Sequence, residues 1–298
     1  MIDEDNTQFL FDELHGIDAL STLSDYTVRL LCASKQDDIE KFLGRSLTVS
    51  IDTQAEPRYL NGLIAHFSYL GQEGETDRYY VYQATVVPWF WLTSLTQEFR
   101  IYQHKTIIEI IEQILSAYPY DYEWRLGHQY PSYEYCVQYG ETDFQFVTRL
   151  LEKEGIHYFF RHENNKHTLV LMDIQVHHSR VFGYESIPYY EQDKLINAHH
   201  DYMCDISHHQ ELRSASYELN DYDYMQSLAA RDIVYSAQTP SKPHNGHKYE
   251  WPGNYHTDKV GGRYASLRLK EQHNHQQYLT LHSTARVIRR TEQTCMVS

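Results

Sequence analysis

The sequence predicts a mainly β fold with a few helices, an α+β class, and three observations carry that prediction. Runs rich in β-branched and aromatic residues, punctuated by polar or glycine turns, dominate the N-terminal third. Two later segments repeat apolar residues at helical spacing behind capping pairs. Tyrosine is over-used, at 27 of 298 residues. Its ring packs on half-buried sheet faces and at interfaces while its hydroxyl stays wet or finds a partner.

Four strands are expected first: YTVRLLCA (26 to 33), SLTVSID (46 to 52), LNGLIAHFSYLG (60 to 71) and RYYVYQATVV (78 to 87), with Pro88 stopping the last. Between the first two, a short helix is expected over 34 to 43. Ser34 caps it, Asp37 and Asp38 suit its positive end, Ile39, Phe42 and Leu43 share a face, and Gly44 closes it. Strands around one short helix suggest a small barrel or rolled sheet.

Helical spacing then takes over. In TIIEIIEQILSAY (106 to 118), Thr106 and Glu109 have capping-box spacing, and Ile107, Ile110, Ile111, Ile114 and Leu115 form one stripe that ends before Pro119. In TDFQFVTRLLEKEG (142 to 155), Thr142 and Gln145 set the cap, Phe144, Val147, Leu150 and Leu151 repeat, and Gly155 closes. Arg149, Glu152, Lys153 and Glu154 read as its wet face. IHYFFRHE and KHTLVLMD then form a hairpin through Asn164 and Asn165, which tolerate positive φ. The two halves share a plan of strand (26 to 33; 133 to 139), acid-capped helix (34 to 43; 142 to 154), glycine and further strands, which suggests a diverged duplication. Past residue 176 periodicity weakens, and YASLRLKEQ and QYLTLHSTARVI alternate at period two as closing strands.

At about 150 residues per domain the length allows roughly two domains. The 26 basic and 41 acidic residues leave a net charge of −15, so nucleic acid or an anionic membrane surface is a repelled partner. The N-terminus is acidic and has no basic-then-apolar leader. The strongest apolar stretch, VVPWFWL at 86 to 92, is far short of the ~18 residues a membrane span needs. Cys32, Cys136, Cys204 and Cys295 are scattered without a C-x-x-C pair, which fits reduced thiols in a cytoplasm.

Catalytic signatures are missing. There is no G-x-S-x-G elbow, no G-x-G-x-x-G fingerprint and no phosphate-cradling loop. His209 and Glu211 form an H-x-E, but without the P-C-x-x-C partner that a zinc deaminase needs. His162 and His167 stand five apart in a turn-forming stretch, not the four that sets two ligands on one helix face. The pairs His177 and His178, His199 and His200, and His208 and His209 would point to opposite faces of a strand and read as ordinary histidines. Asp221 and Asp223 lack the further ligands of a calcium loop and read as solvated turn carboxylates. YEWPGNY (249 to 255) reads as an exposed loop packed on a neighbouring subunit before it reads as a sugar or base platform, and Pro88, Trp89, Phe90 and Trp91 read as a buried strand end. No catalytic, cofactor-binding or metal residue is assigned, and no cofactor is expected.

The stretch from 98 to 173 carries a resemblance: EFRIYQHKTIIEIIEQIL, QYPSYEYCVQYGETDFQFVTRLLEKEGIHYFF and HTLVLMD. With Arg100 and Gln103, Tyr130-Pro131 and the closing Leu-Val-Leu-Met-Asp in order, it resembles the VgrG family of type VI secretion spike proteins, within the module similar to the contractile-tail hub of bacteriophages. FDELH from Phe11, FLGRSLTVSI from Phe42, Asn61-Gly62-Leu63-Ile64, YEWPGNY and Gly261-Gly262-Arg263 extend the match across most of the chain. The resemblance implies two hub-like barrel domains, at 1–95 and 129–298, with a helical connector at 96–128. It also implies a non-enzymatic homotrimer that adapts a hexameric tube to a threefold spike, meets baseplate components, and carries effectors or their adaptors. Such a protein is cytoplasmic before firing and is then exported without a signal peptide. The family continues into an oligonucleotide-binding-like barrel and a β-helix, and neither is expected here. A phage or prophage baseplate hub is the near alternative; a carbohydrate-binding module or glycoside hydrolase is the alternative of another class.

Overall fold

The computed structural model describes residues 9–53, 56–74, 78–173, 186–190, 201–222, 232–236, 246–255, 257–274 and 276–284. These fall into two units divided after residue 185, and each is described by itself.

The first unit opens on a five-stranded antiparallel sheet. Its strands are β1 (Phe9–Ile17), β2 (Asp25–Cys32), β3 (Ser46–Ile51), β4 (Arg58–Glu73) and β5 (Tyr79–Val87), in the order β1-β2-β5-β4-β3. The four strands expected here are present, and β1 joins them from an acidic segment not read as a strand. Alternation shows why: in β2 every second residue, Tyr26, Val28, Leu30 and Cys32, is buried. These pack with Phe9, Phe42, Phe67 and Tyr82 into an aromatic core, in which Phe67 and Tyr82 stack at 5.5 Å. Gly62 lets β4 approach β5 closely, since a Cβ there would lie 2.7 Å from Val86 Cγ1 and from the Val87 carbonyl.

The helix expected over 34 to 43 is a correction. Only one 3₁₀ turn forms, at Glu40–Phe42, and Ser34 caps nothing there. The Gln36 N–H donates to the Tyr82 hydroxyl at 2.7 Å, so this stretch is tied to the sheet core rather than to its own carbonyls. Gly44 does adopt the left-handed conformation, with φ 75°. The duplicated plan therefore lacks its first helix as a true helix.

After Pro88 a 3₁₀ stretch (Trp89–Leu95) buries Trp89 and Phe90. The strand β6 (Gln97–Thr106) follows, then α1 (Ile107–Leu115), β7 (Tyr122–Arg125), β8 (Ser132–Thr142), α2 (Asp143–Glu154), β9 (His157–Glu163) and β10 (Lys166–Met172). Both capping boxes form, Thr106 with Glu109 and Thr142 with Gln145. All five residues of the α1 stripe are buried. Gly155 closes α2 at φ 72°, and Asn165 turns the β9–β10 hairpin at φ 65°. A second core joins α1, α2, Trp89, Phe90, β9 and β10. Two details of α2 differ from expectation. Phe146 rather than Phe144 is fully buried, and Glu154 leaves the wet face to accept a hydrogen bond from the Tyr133 hydroxyl at 2.6 Å.

The second unit holds β11 (Met203–Gln210), β12 (Ser216–Asn220), β13 (Asp232–Ser236), β14 (His247–Glu250), α3 (Asp258–Asn274) and β15 (Gln277–Ser283). The order β13-β12-β14 makes one sheet, and β11 pairs with β15. Here YASLRLKEQ is helix, not strand. Gly261, Tyr264, Ala265 and Leu269 are buried at helical spacing, and they pack on Leu219 and Tyr255. Its Leu, Arg, Lys, Glu and Gln are strong helix formers, and the apparent period of two was an accident of short range. No helix among the described residues is long and apolar enough to cross a membrane.

Candidate interaction surface

The residues that stand out chemically form a surface rather than a cleft. Strands β6 and β8 pair as a two-stranded ribbon, in which Phe99 faces Tyr139, Ile101 faces Val137 and Gln103 faces Tyr135. Directly opposite residues share a face. The alternate face, Tyr102, Cys136 and Gln138, is buried against the second core, where Tyr102 stacks on Phe146 at 5.7 Å. The outer face is left open: Phe99 is 67% exposed, Ile101 61%, Tyr135 57% and Tyr139 80%. None of its six residues is charged, in a chain of net charge −15.

Local chemistry shapes this face. Gly140 is the extra residue at the register shift opposite Glu98 and Phe99, and it takes φ 63°, as the glycine of a bulge does. A Cβ at Gly140 would lie 3.0 Å from the Phe99 ring, so the glycine lets that ring lie over the bulge. Phe99 then meets Tyr139 edge to face at 5.2 Å.

Beneath the ribbon, a polar knot fixes its inner face. Asp143, at the first turn of α2, accepts from Arg100 Nη1 at 3.1 Å and from Gln138 Nε2 at 2.8 Å. Its own N–H donates to the Thr96 carbonyl at 2.9 Å. Arg100 is held in its charged form: burial opposes this, but Asp143, Tyr102 and Glu98 outweigh it. A second device sits at the end of β10. Asp173 accepts from the Gly127 and His128 amides at 2.8 and 3.0 Å and from the Tyr130 hydroxyl at 2.7 Å. Burial pushes the Asp173 carboxyl up, yet these donors bring it net below its ordinary value. On β7, hydrogen bonds from Arg125 and Arg161 hold Glu123 down to about 2.

The residues weighed for chemistry scatter. His209 stacks on Tyr278 at 4.6 Å, and His208 meets Gln277. Asp221 accepts from the amides of Tyr222 and Tyr255 and so acts as a turn anchor. His177, His178, His199, His200, Asp223 and Cys295 lie outside the described residues. In YEWPGNY, Trp251 is exposed while Tyr255 is buried. Trp89 and Phe90 are buried, but in a 3₁₀ turn rather than at a strand end. Among the described residues, no three His, Cys, Asp or Glu side chains gather as metal ligands would. His162 and His167 do come together, on paired strands rather than in a turn, with ring centroids 5.9 Å apart. Sequence reasoning left the ribbon face unassigned. Its signal was the alternation of Phe99 and Ile101 against Tyr135, Val137 and Tyr139, with β6 itself unread as a strand.

A mainly β architecture with an open apolar ribbon is what a structural assembly component presents. The chain belongs to the phage tail baseplate hub (GPD) family, whose profile it matches over residues 17–297. Within that family its relatives are type VI secretion spike proteins. It is 34% identical to VgrG1a of Pseudomonas aeruginosa over 88% of this chain and 40% of that protein. To VgrG1c of the same organism it is 31% identical over 92% of this chain and 38% of the relative. The chain thus spans about two fifths of the length of these relatives. A solved Escherichia coli component of the type VI secretion system, described as similar to phage T4 tail proteins, shares the fold. Its TM-score is 0.62 at 20% identity, covering 94% of this chain and 64% of that one. The tail protein of Neisseria meningitidis MC58 aligns with a TM-score of 0.56 at 11% identity, over 90% of this chain and 74% of that one.

Proposed function

We propose that this chain is the hub segment of a type VI secretion spike: a non-enzymatic washer in which three copies close into a ring, adapting a hexameric tube to a threefold spike. The observation that carries the reading is the hub-family match across 17–297, joined by relatives that are themselves spike proteins. Two hub-like barrels, at 1–95 and 129–298 about a connector at 96–128, give six similar surfaces per ring of three. The aromatic core lies within 1–95, and the α1–α2 core, a second packing centre, gathers residues from 1–95, from the connector and from the start of the second segment. Tube protein, baseplate components and effectors or their adaptors are the partners. The protein waits in the cytoplasm and leaves with the fired apparatus.

The ribbon face is the contact with the next copy. Chains of charge −15 repel one another over most of their surfaces, and an uncharged apolar strip is where they meet at least electrostatic cost. Sedimentation of the chain across micromolar concentrations tests this: a monomer–trimer equilibrium is expected, and Ile101→Lys with Tyr139→Lys shifts it to monomer without lowering the melting temperature. A stable dimer, or a trimer untouched by that pair, refutes the assignment.

A further inference from the structure

The buried histidine on β10 carries a consequence that assembly does not require. Asn61 on β4 is almost wholly buried and stands at the junction of the five-stranded sheet and the β9–β10 hairpin. Its side-chain amide donates to Ser46 Oγ at 2.9 Å and Thr48 Oγ1 at 2.7 Å, which ties it to β3. Its side-chain carbonyl lies 2.7 Å from His167 Nδ1. On the other side of the same ring, His167 Nε2 accepts the Trp89 backbone N–H at 2.7 Å. Both ring nitrogens are therefore committed, and the roles are fixed by their partners. Nδ1 carries the proton, because Asn61 Oδ1 only accepts; Nε2 is bare, because Trp89 N–H only donates.

His162, directly opposite on β9, differs. Its Nδ1 lies 3.1 Å from the Asn61 N–H and 3.0 Å from the Asn61 carbonyl. When bare it accepts from the first, and when protonated it donates to the second. A proton on His162 Nδ1 exchanges the Asn61 N–H donor for the Asn61 carbonyl acceptor, whereas a proton on His167 Nε2 turns two donors against each other and strands the buried Trp89 amide.

We infer that His167 is an acid-sensitive pin joining the first sheet to the hairpin and the Trp89 turn, and that its protonation releases that joint. The surroundings agree. Burial, and then the neighbouring His162, push His167 down to about 3. Its ring otherwise meets the edge of Phe160 and the Trp89 backbone. The charge that acts on it comes from His162; beyond His162 stands Tyr26 at 6.1 Å, itself raised to about 12 by burial and Asp18, with Arg58 opposing.

The sign follows from linkage. The unfolded chain binds this proton near pH 6.5 and the folded chain does not, so stability falls as pH drops below about 6.5 and continues to fall towards about 3. One proton corresponds to about a tenfold rise in the unfolding constant per pH unit.

The test is urea unfolding of the whole chain between pH 7.5 and 4.5, comparing wild type with His167→Gln. Glutamine can donate to Asn61 and accept from Trp89 yet takes up no proton. Wild type should lose about tenfold more per pH unit than the variant between pH 6 and 5; parallel losses overturn the inference. Should the variant not fold, nitrogen-15 spectra of the wild-type imidazoles decide. His167 is expected to stay neutral, with Nδ1 protonated, at pH 5, and an ordinary histidine titration there would sink the proposal.

Discussion

Replacing Asp143 tests whether the polar knot under the ribbon holds β6, β8 and α2 together. Its side chain is only 3% exposed. Asp143→Ala removes the acceptor of Arg100 Nη1 and Gln138 Nε2 and of a long 3.4 Å bond from the Tyr118 hydroxyl, which keeps Thr96 Oγ1 as a partner. Hydrogen bonds to charged groups contribute about 1.5–3 kcal/mol each. The Arg100 side chain is 34% exposed and can turn back to water, so its share is discounted to about 1 kcal/mol. Gln138 is buried and keeps only the Glu141 carbonyl, which puts its share near 1.5 kcal/mol. Losing a negative charge from the first turn of α2 adds about 0.5 kcal/mol. The loss should be about 3 kcal/mol. Asp143→Asn retains one acceptor oxygen and should cost about 1 kcal/mol. Urea unfolding followed by tryptophan emission is the assay, since two of the four tryptophans, Trp89 and Trp124, belong to this core or pack on it. With a slope of about 3 kcal/mol/M, Asp143→Ala should lower the midpoint by about 1 M. A double-mutant cycle with Arg100→Met should show about 1 kcal/mol of coupling. A shift below about 0.5 kcal/mol, or strict additivity with Arg100→Met, would refute the reasoning.

Two further outcomes are expected. Leu150→Asp places a charge at a side chain only 1% exposed in the α1–α2 core and should cost at least about 4 kcal/mol, lowering the melting temperature by about 10 °C or abolishing soluble expression; unchanged melting would show that this face is not buried. Asp173→Asn should speed hydrogen exchange at the Gly127 and His128 amides and remove a stabilisation that wild type holds above the ordinary carboxylate range and loses as pH falls through the lowered value of Asp173; equal exchange in both proteins would exclude the clamp.

Much of the fold was legible because its signals are local. Thr106 and Glu109, or Thr142 and Gln145, announce a helix start through groups three residues apart. Gly44, Gly155 and Asn165 mark positive φ by what their side chains permit. In two places where the reading failed, a distant partner had decided the matter. The 34 to 43 segment has helical letters, yet the Tyr82 hydroxyl captures the Gln36 amide from 46 residues away. Glu154 looks solvated until Tyr133 is brought beside it.

Sequence alone determined the alternation of strands, the two capped helices and the family resemblance, since each rests on spacing within a few residues or on letters in order. Only tertiary structure decided which face of the β6–β8 ribbon is open and which histidine is pinned. Period-two alternation names two faces without saying which one meets the core. His162 and His167 have the same side chain, and they differ only because β4 and the Trp89 turn deliver fixed donors and acceptors to one of them.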